Sequence, residues 1–322
     1  MRRKALEGLR AYQHAARPDG ATAQVASAQC NAARLLHPYC AQKKAQAATV
    51  LIPSLINPAD VLNLGEQTSL MRYLAERGHD PWLVDWGAPA PDDRDLDLGG
   101  HITDRLLPLL EHIDRPVILV GYCLGGTMAL AAAAHREARA VATIASPWVF
   151  SAYPDEHSAL IARLWAEAKP LCDRLGYVPM EVLQSGFWAL DPGRTVRKYA
   201  AFADMEPGSD AHTAFLAVED WANDGPPLTY AAARELFEDL YAADRTGAGG
   251  WTVGGLTVDP GSLPCPSLSI RSTTDRIVPA AAAPRLREQH DSALGHVGMI
   301  VSRGAPQKIW VRLSDWLYEN GG

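Results

Sequence analysis

Strand-like and helical hydrophobic patterns alternate along most of this chain. Strand patterns of apolar residues occupy residues 48–53, 80–86, 116–121, 140–146 and 266–272. Helical patterns fill residues 67–77, which end at Gly78, and residues 102–113, 125–135 and 305–318. Chains that alternate strands with helices build parallel sheets, because each crossover helix returns the chain to the start of the next strand. We therefore predict an α/β fold with a mostly parallel central sheet and helices on both faces.

Two segments depart from this alternation. Residues 1–47 are rich in Ala and Gln, and their weak helical pattern predicts an N-terminal helical extension without strands. Residues 148–250 are rich in Trp, Pro, Tyr and acidic residues and show helical periodicity, which predicts a helical cap inserted into the core. The core is then divided into a first part, residues 48–147, and a last part, residues 251–322. We expect the cap to act as a mobile lid over one end of the sheet.

Composition narrows the class of protein. The chain has 322 residues, 48% of them hydrophobic, and a formal net charge of −7. This composition is that of a globular domain with a large core, and its mild acidity argues against a nucleic-acid partner. No apolar run reaches the roughly 20 residues of a membrane-spanning helix. The five cysteines form no CxxC pair, so we expect no metal site, no disulfide framework and a cytoplasmic location.

The stretch VGYCLGGTMAL (residues 120–130) joins a strand to a helix through a glycine-flanked turn with Cys123 at its centre. Such a turn strains the backbone and lifts one side chain clear of the sheet, so it needs the small neighbours that Gly121 and Gly125 supply. The N–H groups and positive dipole end of the following helix favour a thiolate and a developing oxyanion. We predict that Cys123 is a nucleophile. The alternative is a small buried residue in a chance Gly-x-Cys-x-Gly match.

A thiol nucleophile needs a base and an acid that orients the base. In folds with this turn the chain order is nucleophile, acid, histidine. Asp275 follows the strand at residues 266–272, and His296 lies in the glycine-flanked LGHVGMIV (residues 294–301). We predict that Asp275 and His296 complete the triad, with His290 as the competing histidine. The sequence REQHDSALGH (residues 287–296) leaves little room for a strand before His296.

Two backbone N–H groups are expected to stabilise the oxyanion. The residue after the nucleophile, Leu124, supplies the first. The second comes from the loop after the first strand of the sheet, and we predict Ile56, with Leu55 as the alternative. No cofactor is predicted.

With these residues assembled, the chain resembles the catalytic domain of the polyhydroxyalkanoate synthases, an α/β-hydrolase-type fold. GYCLGGT (residues 121–127) is similar to that family's nucleophile box, which is more specific than Gly-x-Cys-x-Gly alone. Similar stretches recur from about residue 48 to residue 318. They are LIPSLINPADVLNL (51–64), SLMRYLAERGHDPWLVDWGAP (69–89), VEDWANDGPPLTYAAARELFEDLY (218–241), TTDRIVP (273–279) and GHVGMIVS (295–302).

The resemblance implies a polymerising acyltransferase. Cys123 would take the (R)-3-hydroxyacyl group from a CoA thioester, and His296, oriented by Asp275, would activate the thiol and then the 3-hydroxyl of the next unit. The partners implied are (R)-3-hydroxyacyl-CoA and a growing polyester chain. The resemblance leaves open a homodimer or a partner synthase subunit, and it implies a cytoplasmic or polyester-granule-associated protein.

Two other functions stay open from the sequence. The same residues would support hydrolysis of a thioester or ester, including depolymerisation of a polyester, with water as the acceptor. A non-catalytic granule-associated protein with the same fold is the third reading, which an intact triad disfavours. Within the cap, Arg194, Arg197 and Lys198 are candidates for contacting CoA phosphates, and the alternative is that they form the solvated basic start of a helix.

Overall fold

The computed structural model describes residues 1–17, 25–39, 45–66 and 68–321. The strands are β1 (Ala26–Cys30), β2 (Ala33–Leu36), β3 (Ala48–Ile52), β4 (Asp80–Asp85), β5 (Val117–Tyr122), β6 (Ala140–Ile144), β7 (Tyr177–Val178), β8 (Leu228–Thr229), β9 (Thr252–Val253), β10 (Leu256–Thr257), β11 (Ser267–Ser272) and β12 (Glu288–Ser292).

The α-helices are α1 (Arg2–His14), α2 (Leu70–Glu76), α3 (Leu98–His101), α4 (Leu107–Glu111), α5 (Leu124–His135), α6 (Asp155–Leu175), α7 (Met180–Leu190), α8 (Pro192–Phe202), α9 (Asp210–Asn223), α10 (Tyr230–Arg234), α11 (Gly298–Val301) and α12 (Val311–Gly321). Three π-helical stretches extend them: Ile102–Leu106, Glu235–Ala242 and Pro306–Trp310. Short 3-10 helices are Ala59–Asn63, Pro91–Asp95, Phe150–Ala152, Pro260–Ser262 and Ala280–Ala282. The predicted first helix starts at residue 67, which lies outside the described residues, and α2 begins after the N-cap Ser69.

An eight-stranded sheet forms the centre, in the order β1-β2-β4-β3-β5-β6-β11-β12. Its strands from β4 to β12 pair in parallel, whereas the pairs β1–β2 and β2–β4 are antiparallel. The middle strands β3, β5 and β6 are buried along their whole length, as expected of continuous apolar runs covered on both faces. The carboxyl ends of β5, β11 and β12 lie at one edge of the sheet. The predicted α/β fold is confirmed.

Helices cover both faces of the sheet, and each face has its own hydrophobic core. One core holds α5, the helical stretch from Leu98 to Glu111 and part of the cap. The other holds α2, α11 and α12. Helix α5 is made largely of Ala and Gly and is buried from Leu124 to Ala133, because only small side chains let a helix lie this close to the sheet.

The prediction that residues 1–47 form only a helical extension is wrong. Helix α1 is present, but β1 and β2 follow it as a hairpin that turns at Asn31 and extends the sheet beside β4. The hairpin lies at the edge of the sheet, where partial exposure removes the apolar run that marks an inner strand. Residues 18–24 and 40–44 of this segment, including Cys40, lie outside the described residues.

A second correction concerns the approach to His296. Residues predicted to leave little room for a strand form β12, which pairs in parallel with β11 from Leu268–Glu288 to Ser272–Ser292. The strand is polar because it is the outer edge of the sheet, and only Ser292 in it is buried. Because β12 runs parallel to β11, its carboxyl end lies beside the carboxyl end of β11, which Asp275 follows. His296 therefore reaches the site despite the short connection.

The cap predicted over residues 148–250 contains α6 to α10 and, contrary to the expectation of helices alone, the short strand pair β7–β8. Helix α1 lies across α8, and a Cβ atom at Gly8 would overlap the carbonyl oxygen of Tyr199. Tyr12 donates a hydrogen bond to Asp220 of α9 at 2.7 Å. The N-terminal helix therefore holds α8 and α9 in place, although the mobility and boundaries of the cap stay predictions.

None of the helices in the described part of the chain combines the length and the apolar character needed to cross a membrane.

Candidate active site

Cys123 lies at a strained turn between β5 and α5. Its backbone has φ 54° and ψ −132°, a conformation that costs an L-residue energy and that persists only where the surroundings enforce it. Two hydrogen bonds do so here. The Cys123 N–H donates to the carbonyl of Ile144 at 2.9 Å, and the Gly126 N–H donates to the carbonyl of Cys123 at 2.9 Å. The turn thereby holds the thiol at the edge of the sheet.

Glycine on both sides of the turn is required by close backbone packing. A Cβ atom at Gly121 would overlap the backbone of Gly126. A Cβ atom at Gly125 would overlap the carbonyl oxygens of Ile52 and Pro53. The turn therefore requires both glycines of the sequence pattern, which argues against a chance Gly-x-Cys-x-Gly match.

His296 and Asp275 form a buried pair beside Cys123. His296 Nδ1 lies 2.6 Å from Asp275 Oδ2, and the carboxylate side chain has no exposed surface. The other carboxylate oxygen accepts hydrogen bonds from the N–H groups of Ile277 at 2.7 Å and Val278 at 3.1 Å. These bonds fix the carboxylate, which in turn fixes the imidazole so that its other nitrogen, Nε2, is free for the nucleophile.

The electrostatics of His296 agree with this arrangement. Burial alone would lower the pKa of the imidazole, but the electrostatic interactions with Asp275 and Cys123, together with hydrogen bonds to both side chains, raise the pKa well above its usual range. The protonated imidazole is therefore stabilised between a carboxylate and a sulfur. The competing His290 lies on β12 and contacts the carbonyl of Lys308 at 3.0 Å, away from Asp275.

The two predicted oxyanion donors flank the thiol. Leu124 is the first residue of α5, directly after the N-cap Cys123, and the first N–H groups of a helix have no partner within the helix. Ile56 lines the cavities at the thiol, whereas the side chain of Leu55 faces a different cavity. The Ile56 N–H donates to Ser54 Oγ at 3.2 Å, so its role as an oxyanion donor requires this bond to be exchanged and stays a prediction.

Two cavities meet at Cys123. The larger cavity has an empty volume of about 1200 Å³, including the part open to solvent, and it also contacts His296. The second, here called the apolar cavity, has an empty volume of about 630 Å³ on the same measure. Phe187 of α7 lines both of them. A reacting group on the sulfur therefore has two directions in which its substituents can extend.

Five charged side chains line the larger cavity: Asp191, Arg194, Lys198, Glu219 and Arg276. Several of these cations already have protein partners. Lys198 contacts both oxygens of Glu219, at 2.7 and 2.6 Å, and Arg276 donates to Asp191 at 2.9 Å. Arg197 contacts Asp191 only at 3.4 Å. Of the three predicted phosphate-binding cations, Arg194 and Lys198 line the cavity and Arg197 does not.

Three polar residues of the apolar cavity were not predicted from the sequence: Tyr153, His157 and Tyr241. They come from the entry and exit segments of the cap, and only Tyr241, the last residue of the stretch 218–241, falls within a stretch that resembles the synthase family. Tyr153 precedes α6 in an extended conformation and His157 lies in the first turn of that helix, so helical spacing does not predict their contact.

Comparison with solved structures identifies the class of fold. The chain matches a putative lipase from Sulfolobus solfataricus with a TM-score of 0.54 and 11% identity, over 92% of this chain and 97% of that one. It matches epoxide hydrolase A from Mycobacterium thermoresistibile with a TM-score of 0.53 and 15% identity, over 92% and 98%. The chain therefore has an α/β-hydrolase fold, with cysteine at the turn between β5 and α5.

Comparison with curated protein sequences finds similarity to one group of enzymes. The chain is 28% identical to the poly(3-hydroxyalkanoate) polymerase subunit PhaC of Haloferax mediterranei over 90% of its own length. It is 29% identical to the protein of the same name from Allochromatium vinosum over 84% of its length. The resemblance seen in the sequence is confirmed: the chain is similar over most of its length to poly(3-hydroxyalkanoate) polymerase subunits.

The similarity covers only part of the length of these relatives. The chain spans 62% of the length of the Haloferax protein and 80% of that of the Allochromatium protein. No model of a known protein family matches it.

Proposed function

We propose that this chain is a polyhydroxyalkanoate synthase-like acyltransferase that polymerises (R)-3-hydroxyacyl units from CoA thioesters. The observation that carries the proposal is the placement of Cys123 at a strained turn beside the buried His296–Asp275 pair. The relatives' name, poly(3-hydroxyalkanoate) polymerase, supports the choice of reaction. The fold alone does not, because the same fold serves lipases and epoxide hydrolases.

The first step moves the acyl group to the protein. The thiol proton of Cys123 passes to His296, and the resulting thiolate attacks the carbonyl carbon of the thioester while the N–H groups of Leu124 and Ile56 stabilise the oxyanion. The bond from carbon to the CoA sulfur then breaks, and His296 returns the proton to that sulfur. The products are free CoA and an acyl-thioester on Cys123.

The second step extends the chain. The 3-hydroxyl of an incoming hydroxyacyl-CoA attacks the acyl-thioester while its proton passes to His296. The carbon–sulfur bond to Cys123 breaks, and the proton goes to the released thiolate. The product is a CoA thioester longer by one ester-linked unit, which acylates Cys123 again. Neither step changes an oxidation state, so the proposed reaction includes no cofactor.

The cap supports transfer over hydrolysis. Helices α7, α8 and α9 all contribute side chains to the larger cavity over Cys123 and His296. A covered site keeps water from a reactive thioester and gives the hydroxyl of a bound substrate the advantage of proximity. The cap must then open for a bulky CoA substrate.

We extend the proposal to partners and location. The relatives' name includes the word subunit, so we propose that this chain works with a partner subunit or as a homodimer. A protein that makes polyester in the cytoplasm would stay attached to its product, which places the chain at polyester granules.

The test is to incubate the purified chain with (R)-3-hydroxybutyryl-CoA and to measure released CoA, oligoester and free 3-hydroxybutyrate by chromatography. We expect CoA release accompanied by oligoester, and we expect Cys123→Ala to abolish both while its thermal unfolding midpoint stays near that of the unmodified chain. Free acid in equal amount to CoA, with no oligoester, would identify a hydrolase. CoA release that survives Cys123→Ala would overturn the proposed nucleophile.

A further inference from the structure

The wall of the apolar cavity is almost entirely hydrocarbon. Besides the thiol of Cys123, its polar lining side chains are only Tyr153, His157 and Tyr241. The remaining lining residues are apolar: Ile56, Leu124, Pro147, Phe150, Ile161, Leu164, Leu183, Gly186, Phe187, Leu190, Leu236, Phe237, Ile277 and Val278. A cavity of this size and character is suited to a ligand that is mostly alkyl and carries a few polar atoms.

The polar residues form one cluster of contacting aromatic rings. The Tyr153 ring lies 4.7 Å from the His157 ring and 5.4 Å from the Tyr241 ring, measured between centroids, and it stacks on Phe150 at 5.7 Å. Burial lowers the pKa of His157 and raises the pKa of Tyr153 and Tyr241. The group is therefore uncharged near neutral pH and offers neutral hydrogen-bond donors.

The hydroxyl of Tyr153 interacts with the side chain of Tyr241, but within the described part of the chain no hydrogen bond of suitable geometry satisfies it. The residue is only 4% exposed, and its oxygen is among the buried polar atoms for which no acceptor or donor lies in suitable geometry. An unpaired buried hydroxyl is destabilising, and such groups are rare unless a ligand or a function requires them. Replacement by phenylalanine would remove this penalty without changing the shape of the cavity.

The chemistry of this cavity excludes a plain hydrocarbon chain as its best occupant. An alkyl chain would fill the wall but leave the Tyr153 hydroxyl unpaired, whereas an ester carbonyl or hydroxyl within the chain would accept or donate the missing bond. We propose that the apolar cavity binds an acyl chain with an internal ester, the second unit of a hydroxyacyl oligoester held on Cys123, and that Tyr153 donates a hydrogen bond to it. This inference rests on the proposed function and specifies its substrate.

The test compares two N-acetylcysteamine thioesters of similar length, which bypass recognition of CoA. One carries two ester-linked (R)-3-hydroxybutyryl units, and the other carries an octanoyl group. Acylation of Cys123 is followed by intact-protein mass spectrometry in the unmodified chain, in Tyr153→Phe and in Tyr230→Phe. Tyr230 is a matched control because it is buried and lines neither cavity.

We expect Tyr153→Phe to slow acylation by the two-unit thioester about tenfold, as the loss of one hydrogen bond predicts. Acylation by the octanoyl thioester should change less than twofold, and Tyr230→Phe should leave both rates unchanged. The thermal unfolding midpoint of Tyr153→Phe should stay equal or rise. A lower midpoint, with both rates reduced alike, would show that the hydroxyl is structural and would overturn the inference.

Leu164→Phe provides a second variant that does not depend on Tyr153. Leu164 lines the apolar cavity and not the larger one. The added volume of phenylalanine should therefore slow acylation by the two-unit thioester. Acylation by the short acetyl thioester of N-acetylcysteamine should keep its rate. Equal two-unit rates in this variant and the unmodified chain would overturn the inference alone. Failure of every thioester, including (R)-3-hydroxybutyryl-CoA, to acylate Cys123 would overturn the proposed function and the inference together.

Discussion

Replacing Asp275 by Asn removes one charge while preserving the surrounding loop. Asn retains an oxygen that can accept the bonds that Asp275 Oδ1 receives from Ile277 and Val278. What disappears is the carboxylate oxygen 2.6 Å from His296 Nδ1, at a side chain with no exposed surface. The amide that takes its place is a donor, so it favours the imidazole tautomer whose Nε2 is already protonated and cannot accept the thiol proton.

The size of the effect follows from this geometry. A hydrogen bond to a charged group contributes about 1.5–3 kcal/mol, and one pKa unit corresponds to about 1.4 kcal/mol. The pKa of His296, which Asp275 helps to raise, should therefore fall by about one to two units in the variant. Acylation should slow by about 10³-fold or more because the wrong tautomer predominates.

The assay is the pH dependence of the free energy of unfolding. Because the folded pKa of His296 is raised, the stability it contributes is fully present below its unfolded pKa of about 6.5 and is lost as the pH rises through the folded pKa, by up to about 1.4 kcal/mol per pH unit. Urea denaturation of the unmodified chain and of Asp275→Asn at pH 6 to 9 should show a difference in unfolding free energy that shrinks as the pH rises. A constant difference over this range, or acylation within tenfold of normal, would refute the reasoning.

Other predictions test the framework of the site. Gly121→Ala should lower the free energy of unfolding by about 2 kcal/mol or more, because its Cβ overlaps the backbone of Gly126; a thermal midpoint equal to that of the unmodified chain would contradict the close packing. Gly8→Val should push α1 from α8, where its Cβ would overlap the Tyr199 carbonyl, and limited proteolysis should then cut α8 and α9 faster; unchanged cleavage would show that α1 does not hold the cap. Cys265→Ala should leave acyl transfer intact, since the side chain is buried in the core away from both cavities; a loss comparable to that in Cys123→Ala would place a second cysteine in the reaction.

The inner part of the fold was predictable because its physics is local. Strands β3, β5 and β6 are predominantly apolar and buried along their whole length, and the glycines around Cys123 mark the turn that follows β5. The edge elements gave no such signal. The hairpin β1–β2 and the strand β12 each leave part of their surface exposed, so their sequences carry no long apolar run.

The candidate active site likewise combines residues that the sequence predicts with residues that it does not predict. The order of Cys123, Asp275 and His296 along the chain, with the acid following a predicted strand end, was enough to propose the triad, and the structure brings Asp275 and His296 to 2.6 Å. The apolar cavity could not be foreseen. It is formed where the cap meets the core, and Tyr153 and Tyr241 approach each other only through tertiary packing, which residue spacing does not encode.

The central claim is that Cys123 carries the acyl group, and intact-protein mass spectrometry with butyryl-CoA tests it most directly. This substrate lacks the 3-hydroxyl needed for extension, so the reaction should stop at the acyl-thioester. The account predicts a single butyryl adduct that maps to the peptide containing Cys123, disappears on treatment with hydroxylamine and is absent from Cys123→Ala. An adduct on another residue, or CoA release without any adduct on Cys123 at the earliest times measured, would contradict it.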